Sequence, residues 1–150
     1  MRTLLVAALI LAAPLAAAQA PASPAPAAAL PRTASPPGAE AYIISPRDGA
    51  TVTSPVRVQF GLKGMGVAPA GVKFENTGHH HLLIDTDAPA DLAAPLPATD
   101  KILHFGKGQT EASVPLSPGK HTLQLLLGDQ NHVPHNPPVI SGKITITVTR

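Results

Sequence analysis

The chain has 150 residues, of which 44% are hydrophobic, 13% are charged and only 3% are aromatic, and it contains no cysteine. The lack of cysteine excludes disulfide frameworks, iron–sulfur clusters, thiol nucleophiles and every metal site that needs a thiolate ligand. Eleven basic and nine acidic residues give a net charge of +2, which is too small to indicate a nucleic-acid partner. A chain of this length is expected to form one small domain.

The amino terminus has the pattern of a secretory signal peptide. A positive start at residues 1–2 precedes an apolar run at residues 4–15 and then small alanines up to Ala18. A membrane-spanning helix needs about 20 apolar residues, and this run is shorter. We therefore predict a signal peptide over residues 1–18, cleaved near Ala18. The product is expected to be periplasmic or secreted, with no membrane span after the signal is removed.

Residues 19–39 are rich in proline and alanine and are predicted to form a linker. Such a composition buries too little apolar surface to offset the entropy lost on ordering. Each proline also biases the residue before it toward extended geometry, which makes the segment semi-stiff. We predict a disordered linker over residues 19–39 and a folded domain over residues 40–150.

The folded domain is predicted to be all-β. No window sustains a helical period, whereas short β-branched runs with apolar alternation are separated by turn residues. About six or seven strands with one apolar face indicate two packed antiparallel sheets, for which an immunoglobulin-like β-sandwich is the leading architecture and a small β-barrel the alternative. The strands are predicted at residues 41–45, 55–62, 80–85, 109–116, 120–127 and 141–149, with a glycine-rich loop at residues 63–71.

Three of the seven histidines are consecutive, beginning at His79. In an extended strand, side chains alternate between two faces, so His79 and His81 share one face and His80 shares the other with Leu82. The apolar neighbour marks the face of His80 as the core side. The opposite face then presents two imidazoles that can bind one metal ion.

Two further histidines, His132 and His135, lie in a loop after the predicted strand at residues 120–127. An immunoglobulin-like strand order can place that strand beside the one that carries His79, and His104 is a weaker candidate for the same site. Imidazole nitrogen is a good ligand for Cu(II), Zn(II) and Ni(II). We therefore predict a copper or zinc site whose ligands are His79, His81, His132 and His135, with His104 nearby.

The same residues also allow a role without a metal. Histidines near strand ends often donate hydrogen bonds to backbone carbonyls, and we expect this of His80 and His121. Loops on a rigid sandwich commonly carry binding groups, here Asn76, Asp129 and Asn131. The alternative hypothesis is therefore a structural or recognition domain whose partner is a periplasmic protein or a small ligand.

Motifs for catalysis are missing from the sequence. It contains neither a G-x-S-x-G nucleophile elbow nor a phosphate-binding G-x-x-x-x-G-K-[ST] loop. Asp85, Asp87 and Asp91 lie where a predicted strand gives way to a loop, which is a solvated setting. We predict a non-enzymatic binding module, with a hydrolase-type enzyme as the second alternative.

Four sequence blocks together resemble a bacterial family called domain of unknown function 4399. They are residues 77–85 (TGHHHLLID), 104–111 (HFGKGQTE), 116–129 (LSPGKHTLQLLLGD) and 132–135 (HVPH). The resemblance extends over about residues 56–148. It implies an exported bacterial domain without an established activity, and it assigns no catalytic or ligand residues.

Overall fold

The computed structural model of the protein describes residues 31–150, so the predicted signal peptide and residues 19–30 of the predicted linker lie outside the described residues. Over this range the chain forms nine β-strands, and none of its segments is a helix long and apolar enough to cross a membrane. The strands are β1 (Glu40–Ser45), β2 (Thr51–Thr53), β3 (Val56–Lys63), β4 (Gly66–Val67), β5 (Thr77–Ile84), β6 (Ile102–His104), β7 (Glu111–Val114), β8 (Gly119–Gly128) and β9 (Ile144–Thr149).

The strands form two sheets, which confirms the predicted all-β sandwich. The smaller sheet has the antiparallel order β1-β3-β7. The larger sheet has six strands in the order β2-β9-β8-β5-β4, with β6 also paired to β5. Two short pairs, β2 with β9 and β4 with β5, are parallel, and the predicted antiparallel arrangement holds for the other five strand pairs.

The main core lies between the two sheets. Alternate residues of β3, namely Val56, Val58 and Phe60, are buried against alternate residues of β8 such as Leu123 and Leu125. Complete burial of an aliphatic side chain contributes about 1.5–3 kcal/mol. Because both sheets supply such residues to one cluster, the domain forms a core without any disulfide.

The central strand β5 is buried on both faces. On the sandwich side, Leu82 and Ile84 belong to the main core, as the alternation predicted. On the other side, Leu83 packs in a second cluster with Leu96 and Ile102, which come from the loop after β5 and from β6. That loop therefore covers the face of β5 that also carries His79 and His81, which the sequence pattern did not predict to be packed.

Several strand limits differ from the prediction. β5 begins at Thr77, three residues before the predicted start at residue 80, and β4 lies inside the predicted glycine-rich loop. β2, β4 and β6 were not predicted. Each is only two or three residues long, which is too short to show an alternation of polar and apolar residues.

The folded part begins before the predicted boundary at Glu40. Thr33 and Ser35 exchange backbone hydrogen bonds with Asn136, and Ala34 forms a parallel bridge with the same residue. The predicted linker over residues 19–39 is corrected accordingly, because its last part is held against the loop that follows β8. The backbone of residues 33–35 pairs like a short strand even though its composition is that of a linker.

Candidate metal centre

Four histidine side chains meet at one end of the larger sheet. Each of His79, His81, His104 and His132 offers one ring nitrogen, and these nitrogens all lie within 4.8 Å of one another. The ring centroids are 4.7–6.0 Å apart, and His79 Nε2 lies 3.1 Å from His132 Nδ1. Two ligands of a tetrahedral ion with metal–nitrogen distances of about 2.0–2.1 Å stand about 3.4 Å apart. The spacing is therefore close to that of a coordination sphere.

Strand pairing brings three of these histidines together. His79 and His81 share a face of β5, as the sequence predicted, and His104 ends β6 directly opposite His81 in the antiparallel register. Opposite residues of paired strands have adjacent side chains. His104, the weaker candidate in the sequence, is therefore held in the cluster by the β5–β6 pairing, which connects positions separated by a long loop.

The fourth histidine is placed by a tight loop. His132 has a left-handed backbone with φ of 66°, and the Asp129 carboxylate accepts backbone N–H bonds from Asn131 at 2.8 Å and from Val133 at 3.0 Å. The carboxylate thus satisfies the backbone of the turn that carries His132. Asp129, predicted as a binding residue, is buried and shapes this loop.

The other predicted binding residues lie outside the cluster. Asn131 is exposed, and its backbone N–H is the one bound by Asp129. Asn76 is exposed just before β5, where its φ is 53° and its carbonyl accepts a hydrogen bond from the Gly66 N–H. Neither side chain is among the metal-ligating groups.

Two glycines leave room for the imidazole rings. A Cβ on Gly128 would stand 2.8 Å from Cε1 of His81, and one on Gly106 would overlap the His104 ring. Neither glycine has a positive φ. Their lack of a side chain therefore serves close packing against the histidines.

Burial keeps the strand histidines neutral. Desolvation, followed by repulsion from His132 and His104, lowers the pKa of His79 to about 4. Desolvation, followed by repulsion from the neighbouring rings, lowers the pKa of His81 to about 3. Desolvation and His132 also lower the pKa of His104. Neutral imidazole is the form that ligates a metal.

The nitrogens of the buried rings are otherwise unpartnered. Both ring nitrogens of His81 and Nδ1 of His79 are buried without a hydrogen-bond partner. A buried polar atom without a partner costs about 1–3 kcal/mol. The donor set, four imidazoles with no competing carboxylate or thiolate, fits a borderline transition metal such as Cu(II) or Zn(II). The residues present therefore fit such an ion.

His135 does not belong to the cluster, in contrast to the sequence prediction. A Cβ on Gly78 would stand 2.9 Å from Cε1 of His135, so this ring lies on the face of β5 opposite to His79 and His81. Its Nε2 donates a hydrogen bond to the Thr77 carbonyl at 3.2 Å. A left-handed turn at His132 separates two loop histidines that sequence proximity had grouped.

Two histidines, His80 and His121, were expected to hydrogen-bond with the backbone, and the expectation holds for only one of them. His121 donates from Nε2 to the Ser117 carbonyl at 2.8 Å and from Nδ1 to Asp85 at 2.7 Å, which confirms the expectation for this residue. The hydrogen bond to Asp85 raises the pKa of His121. The expectation is wrong for His80, since neither ring nitrogen has a partner and its ring packs on Phe60 with centroids 5.2 Å apart.

The three acidic residues after β5 are exposed, as the solvated setting predicted for them implies. Asp87 and Asp91 are exposed, and Asp87 pairs with Lys143. Asp85 accepts from the His121 ring and from the Thr122 N–H. The second ring nitrogen of His121 hydrogen-bonds the Ser117 carbonyl, so both ring nitrogens of His121 are engaged.

Comparison with known proteins gives one match. The family model described as "Domain of unknown function (DUF4399)" matches residues 58–149, a range that includes all four clustered histidines and His135. No curated protein and no solved structure matches the chain.

Proposed function

The chain belongs to the family described as a domain of unknown function, DUF4399, and we propose that it is a non-enzymatic module that binds Cu(II) or Zn(II) through its histidine cluster. The ligands in this proposal are His79, His81, His104 and His132. His135, a ligand in the sequence-based hypothesis, is replaced by His104.

The convergence of four imidazole nitrogens within 4.8 Å is the observation that carries the proposal. Protonated imidazoles repel one another. Four imidazoles this close together are therefore unfavourable unless they stay neutral or share a bound cation. Three of the ring nitrogens at His79 and His81 are buried without a partner, so a role limited to hydrogen bonding leaves them unsatisfied. A metal ion would bind one nitrogen of each ring.

The position of the ligands suits uptake from solution. His79 and His81 are 0% and 1% exposed and sit on the central strand, whereas His104 is exposed and His132 half-buried. The two buried ligands would hold a metal ion in a fixed position, and the two more accessible ones would let the ion enter from solvent. The predicted signal peptide supports a periplasmic or secreted location, where such a module would meet copper or zinc.

Calorimetric titration of the domain with Cu(II) and with Zn(II) at pH 7.5 tests the proposal. We expect saturable binding of one ion per chain. His104→Ala should weaken metal binding by more than about tenfold. Loss of a residue that only hydrogen-bonds to a metal ligand already reduces metal affinity by about 10–100-fold. His104 is the best choice because its exposed ring contributes little to the core.

The matched controls are histidines outside the cluster. His121→Ala and His135→Gln should leave the affinity within about twofold of the wild type, because neither ring reaches the shared nitrogens. Absence of binding above background for both metals would contradict the proposal and favour the recognition hypothesis. An equal loss in His135→Gln and His104→Ala would restore His135 as a ligand.

A further inference from the structure

A segment before the first strand, which we call the strap (residues 32–36), lies along the loop that carries His132. The strap lies outside the range matched by the family model, whereas His132 lies within it. Its backbone pairs with Asn136: the Asn136 N–H donates to the Thr33 carbonyl at 2.9 Å, and the Ser35 N–H donates to the Asn136 carbonyl at 3.2 Å. The strap therefore lies against the loop that carries His132, although no strap residue is a ligand.

The strap also contacts the residue that shapes the His132 turn. Thr33 Oγ1 donates a hydrogen bond of 2.7 Å to Oδ2 of Asp129. The other carboxylate oxygen, Oδ1, accepts the N–H groups of Asn131 and Val133, on either side of His132. Thr33 is thus connected to both flanks of His132 through a single buried carboxylate.

Arg32 holds the next part of the same loop. Its Nε donates to the Pro134 carbonyl at 3.0 Å and its Nη2 donates to the His135 carbonyl. Both carbonyls belong to buried residues. Charge-assisted bonds of this kind are stronger than those between neutral groups. The guanidinium therefore supplies hydrogen-bond donors to two carbonyls of the loop.

The remaining hydrogen bonds of the turn join backbone groups and do not involve the Asp129 carboxylate. Two lie inside the turn, from the His132 N–H to the Asp129 carbonyl and from the Asp129 N–H to the Val133 carbonyl, both at 2.9 Å. The Leu96 N–H donates to the His132 carbonyl at 2.9 Å, and the Gly71 N–H donates to the Gln130 carbonyl at 3.0 Å. These bonds hold two carbonyls of the turn. Among the described residues, Thr33 is the side chain that donates a hydrogen bond to Oδ2 of Asp129.

From these contacts we infer that Thr33 and Arg32 are positioning residues for the metal centre, acting through Asp129 and the loop to hold His132 toward the other three rings. This inference rests on the proposed function for its metal part. It implies that a domain truncated to begin at β1 would bind metal more weakly than the longer chain, although it keeps all four ligands. The strap therefore belongs to the functional unit.

The test compares Thr33→Val, which keeps the shape and removes the hydroxyl, with Thr33→Ser, which keeps the hydroxyl. Thr33→Val should weaken binding of Cu(II) or Zn(II) by about tenfold, since a hydrogen bond to a charged group is lost. Thr33→Ser should restore it. Thr149→Val, which removes an exposed hydroxyl bonded to the Val52 carbonyl, is the matched control and should bind as the wild type does.

A second readout needs no metal. In the metal-free protein, the amides of Asn131 and Val133 should exchange with solvent at least about tenfold faster in Thr33→Val than in the wild type or Thr33→Ser, because protection follows local stability. Arg32→Ala should also make these amides exchange faster. The test therefore does not depend on the folding of a single variant.

The outcomes separate this inference from the proposed function. If the wild type binds metal, and Thr33→Val has the same metal affinity and the same amide exchange as the wild type, the inference is overturned but the proposed function stands. If the wild type binds no metal, the proposed function and the metal part of this inference are both overturned. Faster amide exchange in Thr33→Val would still show that the strap stabilises the His132 loop.

Discussion

Glycines decide how close the imidazoles can approach. At Gly106 a Cβ would occupy the space of the His104 ring, and at Gly128 it would press on His81 and on the backbone of His132. The two positions differ in consequence, because His104 is exposed and can turn away whereas His81 is enclosed. Gly106 is therefore the position at which a single methyl group changes the site with little effect on the fold.

We expect Gly106→Ala to mimic His104→Ala in metal titration, with affinity reduced by more than about tenfold. The reason is that the ring must rotate outward to clear the new methyl group. The free energy of unfolding of the metal-free protein should change by less than about 1 kcal/mol, because the ring that must move is exposed. Gly142→Ala, where a Cβ meets nothing within 4 Å, is the control. Wild-type affinity in Gly106→Ala would show that His104 is not a ligand.

At the scale of elements, β5 organises both the core and the site. One edge pairs with β8 over most of its length, and the other pairs with β4 at its start and β6 at its end. One face enters the main core, and the other carries His79 and His81 beside Leu83. The strand is thus fixed on all four sides, which explains how it can present two imidazoles at a constant spacing.

Leu83→Ala should destabilise the protein by about 2–5 kcal/mol in urea unfolding, the range for a buried leucine. Leu83 is 1% exposed and packs on Leu96, Ile102 and Leu126. Ile44→Ala, on the outer face of β1 where the residue is 52% exposed, should cost less than about 1 kcal/mol. A change at Leu83 as small as that at Ile44 would mean that the second cluster contributes nothing to stability.

The whole molecule should be sensitive to acid because of its buried histidines. The pKa values of His79 and His80 are lowered from 6.5 to about 4, and that of His81 to about 3, chiefly by desolvation. Below pH 6.5 the unfolded chain therefore binds more protons than the folded chain. Each such histidine lowers the free energy of unfolding by at most about 1.4 kcal/mol per pH unit until its folded pKa is reached.

Urea unfolding of the metal-free protein between pH 7.5 and pH 4.5 should accordingly show stability falling below about pH 6.5. His80→Leu should make the fall shallower, because one titrating group is removed while the side-chain volume is nearly kept. His121 does not mask the effect: its raised pKa stabilises the fold below pH 6.5, and this contribution is lost only on the alkaline side. A flat profile would contradict the burial of these rings in solution.

The sequence by itself was sufficient for the features that depend on local periodicity. The alternation of polar and apolar residues located the long strands, the two-sheet class and the shared face of His79 and His81, because a pleated strand imposes a period of two wherever one face is buried. The short strands escaped this reasoning, since β6 has three residues and no readable period.

Which histidines meet depends on long-range pairing within the folded domain. His104 joins the cluster through a register that pairs it with His81 across a loop, and His135 leaves it because the left-handed turn at His132 directs the next part of the loop to the other face of β5. The strap likewise depends on pairing between residues 33–35 and Asn136, about a hundred positions apart. Register and chain reversal are set by the packing of the whole domain, so no local pattern in the sequence contains them.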